Sequence, residues 1–231
     1  MSSFHTDRRW KKPLPPFVVN PLVDRPAPSD VAVLAQADVT RVSDLVGRMY
    51  TCQPPLRSLV APAVPLCGPA FTVKCPPGDN LGVMAAIRRV EAGDVLVVDG
   101  QGFTQWCMGG FELLKYACEQ RGMAGLVVHG AWRDVAEAQA AGLPVYGLAV
   151  SPHSGPKFGP AEVNVPVACA GVIVQPGDVV CASAEGVAVV PRGSVEAVAR
   201  ALRAGGGGHG IEHFLDEMDE HVAGWLDGGR Q

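Results

Sequence analysis

Three side chains in this sequence have types and placement suited to chemistry at oxygen. Glu112 follows the glycine-rich stretch DGQGFTQWCMGG (99–110), and Arg133 and Asp134 stand side by side in VVHGAWRDVAE (127–137), where an apolar run gives out. Each acid opens a helical pattern that follows a β-like run. If the two preceding strands are neighbours, both carboxylates and the guanidinium converge on one sheet edge. Carboxylate oxygens suit a hard divalent cation, Mg2+ or Mn2+, which keeps several of its waters. A cation held in this way polarises a carbonyl, and an arginine steadies the oxygen charge that develops.

Each residue also has a plainer use. Glu112 falls in the first turn of its helix, where the dipole favours a carboxylate whatever its function. Asp134 with Glu137 three positions on makes a capping box. Adjacent residues on a strand point to opposite faces, so Arg133 and Asp134 are poorly placed to pair with each other. That leaves Arg133 to a substrate oxygen or to a surface salt bridge. Gly100, Gly102, Gly109 and Gly110 let backbone N–H groups approach an anion at a helix N-terminus. Their spacing is not that of a dinucleotide fingerprint, and no Lys-Ser/Thr pair follows for a phosphate loop, so a small carboxylate is the better fit. His129 reads either as a packed core histidine or as a site residue. No zinc spacing, HExxH or GxSxG occurs.

The elements that must position these groups follow from periodicity. Residues 1–30, rich in proline and charge, read as an extended arm, disordered or wrapped on a neighbouring subunit. A helix is expected in 31–50, with Thr40 or Ser43 as N-cap. Helical patterns recur at 79–93, 110–122, 133–142 and up to 206. Short β-like runs bounded by Gly, Pro, Asp or Ser lie between and after them, in GPAFTVKC, VLVVDG, GLVVHG, PVYGLAV, GVIVQPG, VVCAS and GVAVVP. The expectation is an α/β domain over 31–203, with a mixed sheet and a β-rich layer after 143. Residues 204–231 form a glycine-rich hinge and an acidic amphipathic helix that needs a domain or a subunit to pack on.

At 231 residues, 48% hydrophobic and 18% charged, the chain can bury one substantial core. Its net charge of −4 supplies no basic field for phosphates, which argues against nucleic acid as a partner. Several of the seven cysteines lie inside apolar runs, and the set reads as buried reduced thiols. No apolar stretch approaches the roughly 18 residues of a membrane span, and no apolar segment follows the basic N-terminus. A cytoplasmic chain without a membrane partner is expected.

With these residues in hand, the chain resembles the RraA-like family, which includes class II 4-hydroxy-4-methyl-2-oxoglutarate/4-carboxy-4-hydroxy-2-oxoadipate aldolases and regulators of ribonuclease E activity. The resemblance runs from about 38 to about 203 and rests on VSDLVGR, GPAFTVKCPPGDN, AGDVLVVDG, ELLKYACEQRGMAGLVVHGAWRDV, GPAEVNVPVACAGVIVQPGDVV and EGVAVVP in that order. It implies a swivelling β/β/α sandwich assembled as a homotrimer or homohexamer with sites between subunits. It further implies that Asp134 ligates the metal directly, that Glu112 holds it through water and that Arg133 contacts a substrate keto oxygen. The amides of Leu113 and Leu114 would grip the substrate carboxylate, with Gly110 and Phe111 shaping the pocket.

The chemistry so implied is retro-aldol cleavage of a 4-hydroxy-2-oxo acid to pyruvate through a metal-stabilised enolate, accompanied by oxaloacetate decarboxylation. Against the family pattern, Gly110-Phe111 replaces a Trp-Gly pair and His129 replaces an aspartate. The tail does not align with the segment from which the aldolases draw a neighbouring subunit's glutamate, for which Glu212 or His209 could substitute. Two alternatives stand beside the lyase reading. One is a non-catalytic regulator that binds a protein partner. The other is hydration or isomerisation of a keto acid by the same enolate chemistry.

Overall fold

The computed structural model describes residues 17–205 and 211–228. Its centre is a mixed sheet in which β3 (Leu66–Lys74), β4 (Val95–Asp99), β5 (Gly125–Trp132) and β6 (Val145–Val150) run parallel. One flank carries β7 (Ala161–Val163), antiparallel to β3, and β1 (Phe17–Val19), parallel to β7. On the other flank β2 (Arg57–Ser58) pairs antiparallel with β6.

Alternation along the strands sorts two cores. Leu96, Val98, Leu126 and Val128 face α3 (Leu81–Ile87), α4 (Phe111–Arg121) and α5 (Val135–Ala140), meeting Val83, Leu114 and Ala138. Val95, Val97 and Val127 face the opposite way, towards the hairpins β8 (Val167–Cys169)–β9 (Val172–Val174) and β10 (Val179–Ser183)–β11 (Gly186–Val190). Strands buried on both faces read as continuous apolar runs, which is why VLVV and GLVV lack alternation in the sequence. Each fully buried Val or Leu contributes roughly 1.5–3 kcal/mol of hydrophobic stabilisation.

The second hairpin repeats the device. Val180, Ala182, Val187 and Val189 point at the sheet, whereas Val179, Cys181, Ala188 and Val190 point away. There they meet α1 (Pro28–Gln36), α2 (Val39–Val46) and α6 (Val195–Ala204) through Leu34, Val42, Ala199 and Leu202. The order of layers is therefore helices, sheet, β hairpins, helices. Strand β3 belongs to two layers: Leu66–Pro69 pairs antiparallel with β10, and Ala70–Lys74 pairs parallel with β4.

Several expectations change in detail. The single helix expected in 31–50 is two, broken at Ala37–Asp38, and Asp38 rather than Thr40 or Ser43 holds the N-cap position of α2. Ser43 Oγ instead shares a 2.7 Å hydrogen bond with Thr51 Oγ1. Strands β1, β2, β7 and β8 have three residues or fewer, too short to carry a period. Helix α7 (Ile211–Gly228) exposes every side chain from Ile211 to Trp225, including Phe214, Leu215, Met218 and Val222. Among the described residues, no helix is long and apolar enough to cross a membrane.

Candidate functional site

The two acid-bearing junctions lie at the carboxyl ends of the neighbouring parallel strands β4 and β5. In open α/β sheets this is where ligands bind. The loop between β4 and α4 crosses the end of β5 as an extra strand-like segment. The Met108 amide donates to the Ala131 carbonyl at 2.8 Å, the Cys107 amide to the His153 carbonyl at 2.8 Å, and the Arg133 amide to the Gly109 carbonyl at 3.2 Å. This crossing carries Gly110 onto Asp134.

Asp134 adopts the left-handed conformation, with φ 57° and ψ 40°. That turn swings its carboxylate back over Arg133 and towards the start of α4. Asp134 Oδ2 accepts a hydrogen bond from the Phe111 amide at 3.3 Å and stands 3.4 Å from Arg133 Nε. Two expectations are corrected here. The adjacent charges do pair, because they lie past the strand rather than on it. Nor does Asp134 form a capping box with Glu137: its side chain makes no capping bond to α5, and only its carbonyl accepts, from the Ala138 amide at 3.2 Å.

Gly110 is dictated by this contact. A Cβ there would run into Asp134 Oδ2 and lie 3.0 Å from Arg133 Cγ, so no other residue fits without moving both. Gly109 is similarly closed in by the Trp132 ring.

Gly110, Glu112, Leu113, Arg133 and Asp134 line one cleft of about 190 Å³, together with Asn80, Cys107, Ser154 and Lys157. Phe111 and Leu114 are not among its walls. Leu114 is buried in the core, and its amide donates to the Gly110 carbonyl at 3.3 Å. The amides of Glu112 and Leu113 have no acceptor within the helix and, at the positive end of α4, suit a carboxylate. Lys115 Nζ lies 5.7 Å from the Phe111 ring centroid.

The opposite wall was not legible from spacing. Asp79, only 3% exposed, accepts from the Leu81 amide through Oδ1 (3.0 Å), and from those of Phe158 (2.6 Å) and Gly159 (3.1 Å) through Oδ2. It thereby ties the segment carrying Ser154 and Lys157 to α3. Neighbouring Asn80 is 3% exposed, and its Oδ1 has no hydrogen-bond partner among the described residues. Burial raises the Cys107 thiol above its ordinary value, although the Arg133 charge opposes the rise.

His129 does not line the cleft. It lies beside Asp99 in register, with Nδ1 4.0 Å from Asp99 Oδ1. Burial disfavours the charge on Asp99. The nearby His129 ring and the amides of Gln101 (2.9 Å) and Ala168 (3.2 Å) nevertheless hold its carboxyl below the usual range. Of the tail candidates, Glu212 lies on exposed α7, and His209 falls outside the described residues.

As a seat for a hard cation, the cleft offers the carboxylates of Asp134 and Glu112. No group of three or more His, Cys, Asp or Glu side chains that could hold a metal occurs among the described residues. Two carboxylates completed by water fit Mg2+ or Mn2+, which need no all-protein cage, and do not fit zinc.

Comparison with known proteins yields a consistent set of relatives. Residues 36–189 match the RraA-like model described as Aldolase/RraA. The chain is 38% identical over 113 residues to the 4-hydroxy-4-methyl-2-oxoglutarate aldolase of Thermus thermophilus, covering 49% of this chain and 68% of that one. It is 38% identical over 131 residues to a Halalkalibacterium halodurans protein named provisionally for the same aldolase, covering 57% of this chain and 62%, less than two thirds, of that relative. The crystal structure of Streptomyces coelicolor RraAS2, titled an unusual member of the RNase ES inhibitor RraA protein family, aligns with a TM-score of 0.69 at 26% identity. That alignment covers 87% of this chain and 98% of that one.

Proposed function

This chain belongs to the RraA-like family, and from that premise we propose that it is a carbon–carbon lyase cleaving a 4-hydroxy-2-oxo acid to pyruvate. The observation that carries the reading is the convergence of Arg133, Asp134, Glu112 and the open N-terminus of α4 on one cleft. The aldolase name of its Thermus relative supports the same reaction class.

In this reading the amides of Glu112 and Leu113 bind the substrate's C1 carboxylate, and Arg133 faces the C2 keto oxygen. The 4-hydroxyl loses its proton, the C3–C4 bond breaks, and C4 becomes a carbonyl. The bonding pair passes to C3 and the keto oxygen as pyruvate enolate, whose charge Arg133 stabilises until C3 takes up a proton. Asp134 and Glu112 would hold Mg2+ or Mn2+, which supplies Lewis-acid polarisation of the 2-keto acid. Oxaloacetate would lose CO2 to the same enolate. The exposed apolar stripe of α7 supports assembly as a homotrimer or homohexamer, in which a neighbouring chain covers it.

Pyruvate release from 4-hydroxy-4-methyl-2-oxoglutarate tests the proposal, with Mg2+, with EDTA, and in Asp134→Ala. Activity that depends on both metal and carboxylate is expected, and activity indifferent to both would sink the mechanism. The regulator reading is favoured by the same bare α7 and by the inhibitor family of the Streptomyces structure. Absence of lyase activity on any 4-hydroxy-2-oxo acid, with Mn2+ unbound, would select it.

A further inference from the structure

A second cleft lies apart from the one that holds Arg133 and Asp134. It measures about 610 Å³ and opens between the α1–α2 junction and the β3–β10 pair, with both Cys67 and Cys181 on its walls. The two thiols face each other across antiparallel strands in direct register, with Sγ atoms 3.4 Å apart. Neither is bonded to another cysteine.

The ladder allows this pair to close. Pro69 has no N–H and stands opposite Val179, at a position where the strands exchange no hydrogen bonds. Cys67, two residues earlier, therefore occupies the same kind of position opposite Cys181. Opposed Cα atoms there lie about 4.5 Å apart, within the range of roughly 4.4–6.8 Å that a disulfide spans. Closure asks for side-chain rotation, not for movement of the strands.

Their surroundings divide the roles. Cys67 is partly exposed on the cleft wall, and its thiol makes a long contact of 3.8 Å with the Val31 carbonyl. Cys181 is 2% exposed, and the hydrogen bond with the neighbouring Cys67 thiol, together with burial, raises its pKa well above the ordinary value. The other close pair lacks such access: Cys52 and Cys169 are 8% and 1% exposed, and Cys52 donates to the Cys169 carbonyl.

We propose that Cys67 and Cys181 form a redox-active dithiol, oxidised by small disulfides that enter the α1–α2 cleft. The Cys67 thiolate attacks one sulfur of the incoming disulfide, whose other half leaves as a thiolate. Cys181, on losing its proton, attacks Cys67 Sγ and expels the second half. Two protein thiols become one disulfide, and one small disulfide becomes two thiols. The bond joins positions 114 residues apart and staples β3 to β10.

The test is to incubate the folded full chain with glutathione disulfide, quench with an alkylating reagent in denaturant so that every free thiol reacts, and map peptides without reduction. The expected result is loss of two alkylatable thiols, a linked Cys67–Cys181 peptide pair, and reversal by dithiothreitol. Cys181→Ser should stop at a glutathione adduct on Cys67, and Cys67→Ser should form neither adduct nor link. Circular dichroism of each sample confirms the fold before mapping. Seven alkylatable thiols remaining in folded wild-type protein would overturn the proposal, as would a link between Cys52 and Cys169 in its place.

Discussion

Arg133 Nε stands 3.4 Å from Oδ2 of Asp134, its immediate neighbour in sequence, because Asp134 turns left-handed as the chain leaves β5. One backbone angle thus converts two residues that would diverge on a strand into a paired guanidinium and carboxylate at a cleft. The pair is about 40% exposed on each side, so its contribution to stability is small, of the order of an exposed ion pair at ~0–1 kcal/mol. Its arrangement serves the cleft.

The left-handed turn separates the structural from the chemical role of Asp134. Asn tolerates this conformation and Ala does not, so Asp134→Ala should cost about 1–2 kcal/mol in a urea melt and Asp134→Asn much less. Both should abolish metal-dependent pyruvate release. Equal stability of the two variants would refute the conformational argument.

Arg133→Ala should lower kcat by about 10²–10³-fold, the range for loss of one donor to a developing oxyanion, without shifting the thermal midpoint. Arg133→Lys, which keeps charge but loses the planar fork, should recover only part of this. Steady-state pyruvate release and a melting curve on the same samples decide it.

Gly110→Ala places a methyl group against Asp134 Oδ2 and 3.0 Å from Arg133 Cγ. The expected outcome is a folded protein with weakened Mn2+ binding by calorimetry and at least tenfold lower activity. Unchanged affinity for Mn2+ would show that the Asp134 carboxylate does not hold the ion.

Asn80→Leu removes a buried acceptor that has no partner among the described residues. Loss of an unsatisfied polar group is neutral or stabilising, whereas a substrate donor that uses this oxygen would be left unbonded. KM should rise several-fold with stability unchanged or improved. A fall in stability with KM unaltered would mean that Asn80 serves the fold alone.

Burial pushes the Cys75 thiol up to about 12 and the Cys118 thiol to about 11, against 9.0 for a free thiol. Raised values mean that the folded state keeps protons the unfolded chain has lost, so their contribution is complete below pH 9 and declines above it. Each group removes at most ~1.4 kcal/mol of stability per pH unit in that window. Urea melts between pH 8 and 11 should show the decline, and Cys75→Ala should make it shallower.

The sequence made the helix and strand at each half of the site legible because β4, α4 and β5 are long enough to show apolar runs and caps. Gly122, for example, ends α4 in the left-handed conformation that its position after the last periodic residue predicts. The capping box at Asp134 failed because spacing cannot report a positive φ at a non-glycine residue. Lys157 was hidden because it reaches the cleft through Asp79, whose carboxylate joins the adjacent start of α3 to the distant Phe158–Gly159 stretch. Leu114 shows the limit of carrying a role across by resemblance, since its amide already serves the first turn of α4.

The division of β3 between two layers has a consequence for any attempt to dissect this domain. A fragment ending before Val179 would leave Leu66–Pro69 without the strand that occupies its edge, and would strip the inward-facing valines of β10 and β11 from Val95, Val97 and Val127. What remained would be a bare β-edge above an apolar face, a template for pairing with another chain. The early sheet and the late hairpin are thus one folding unit despite the residues between them, and a chain cut there should self-associate.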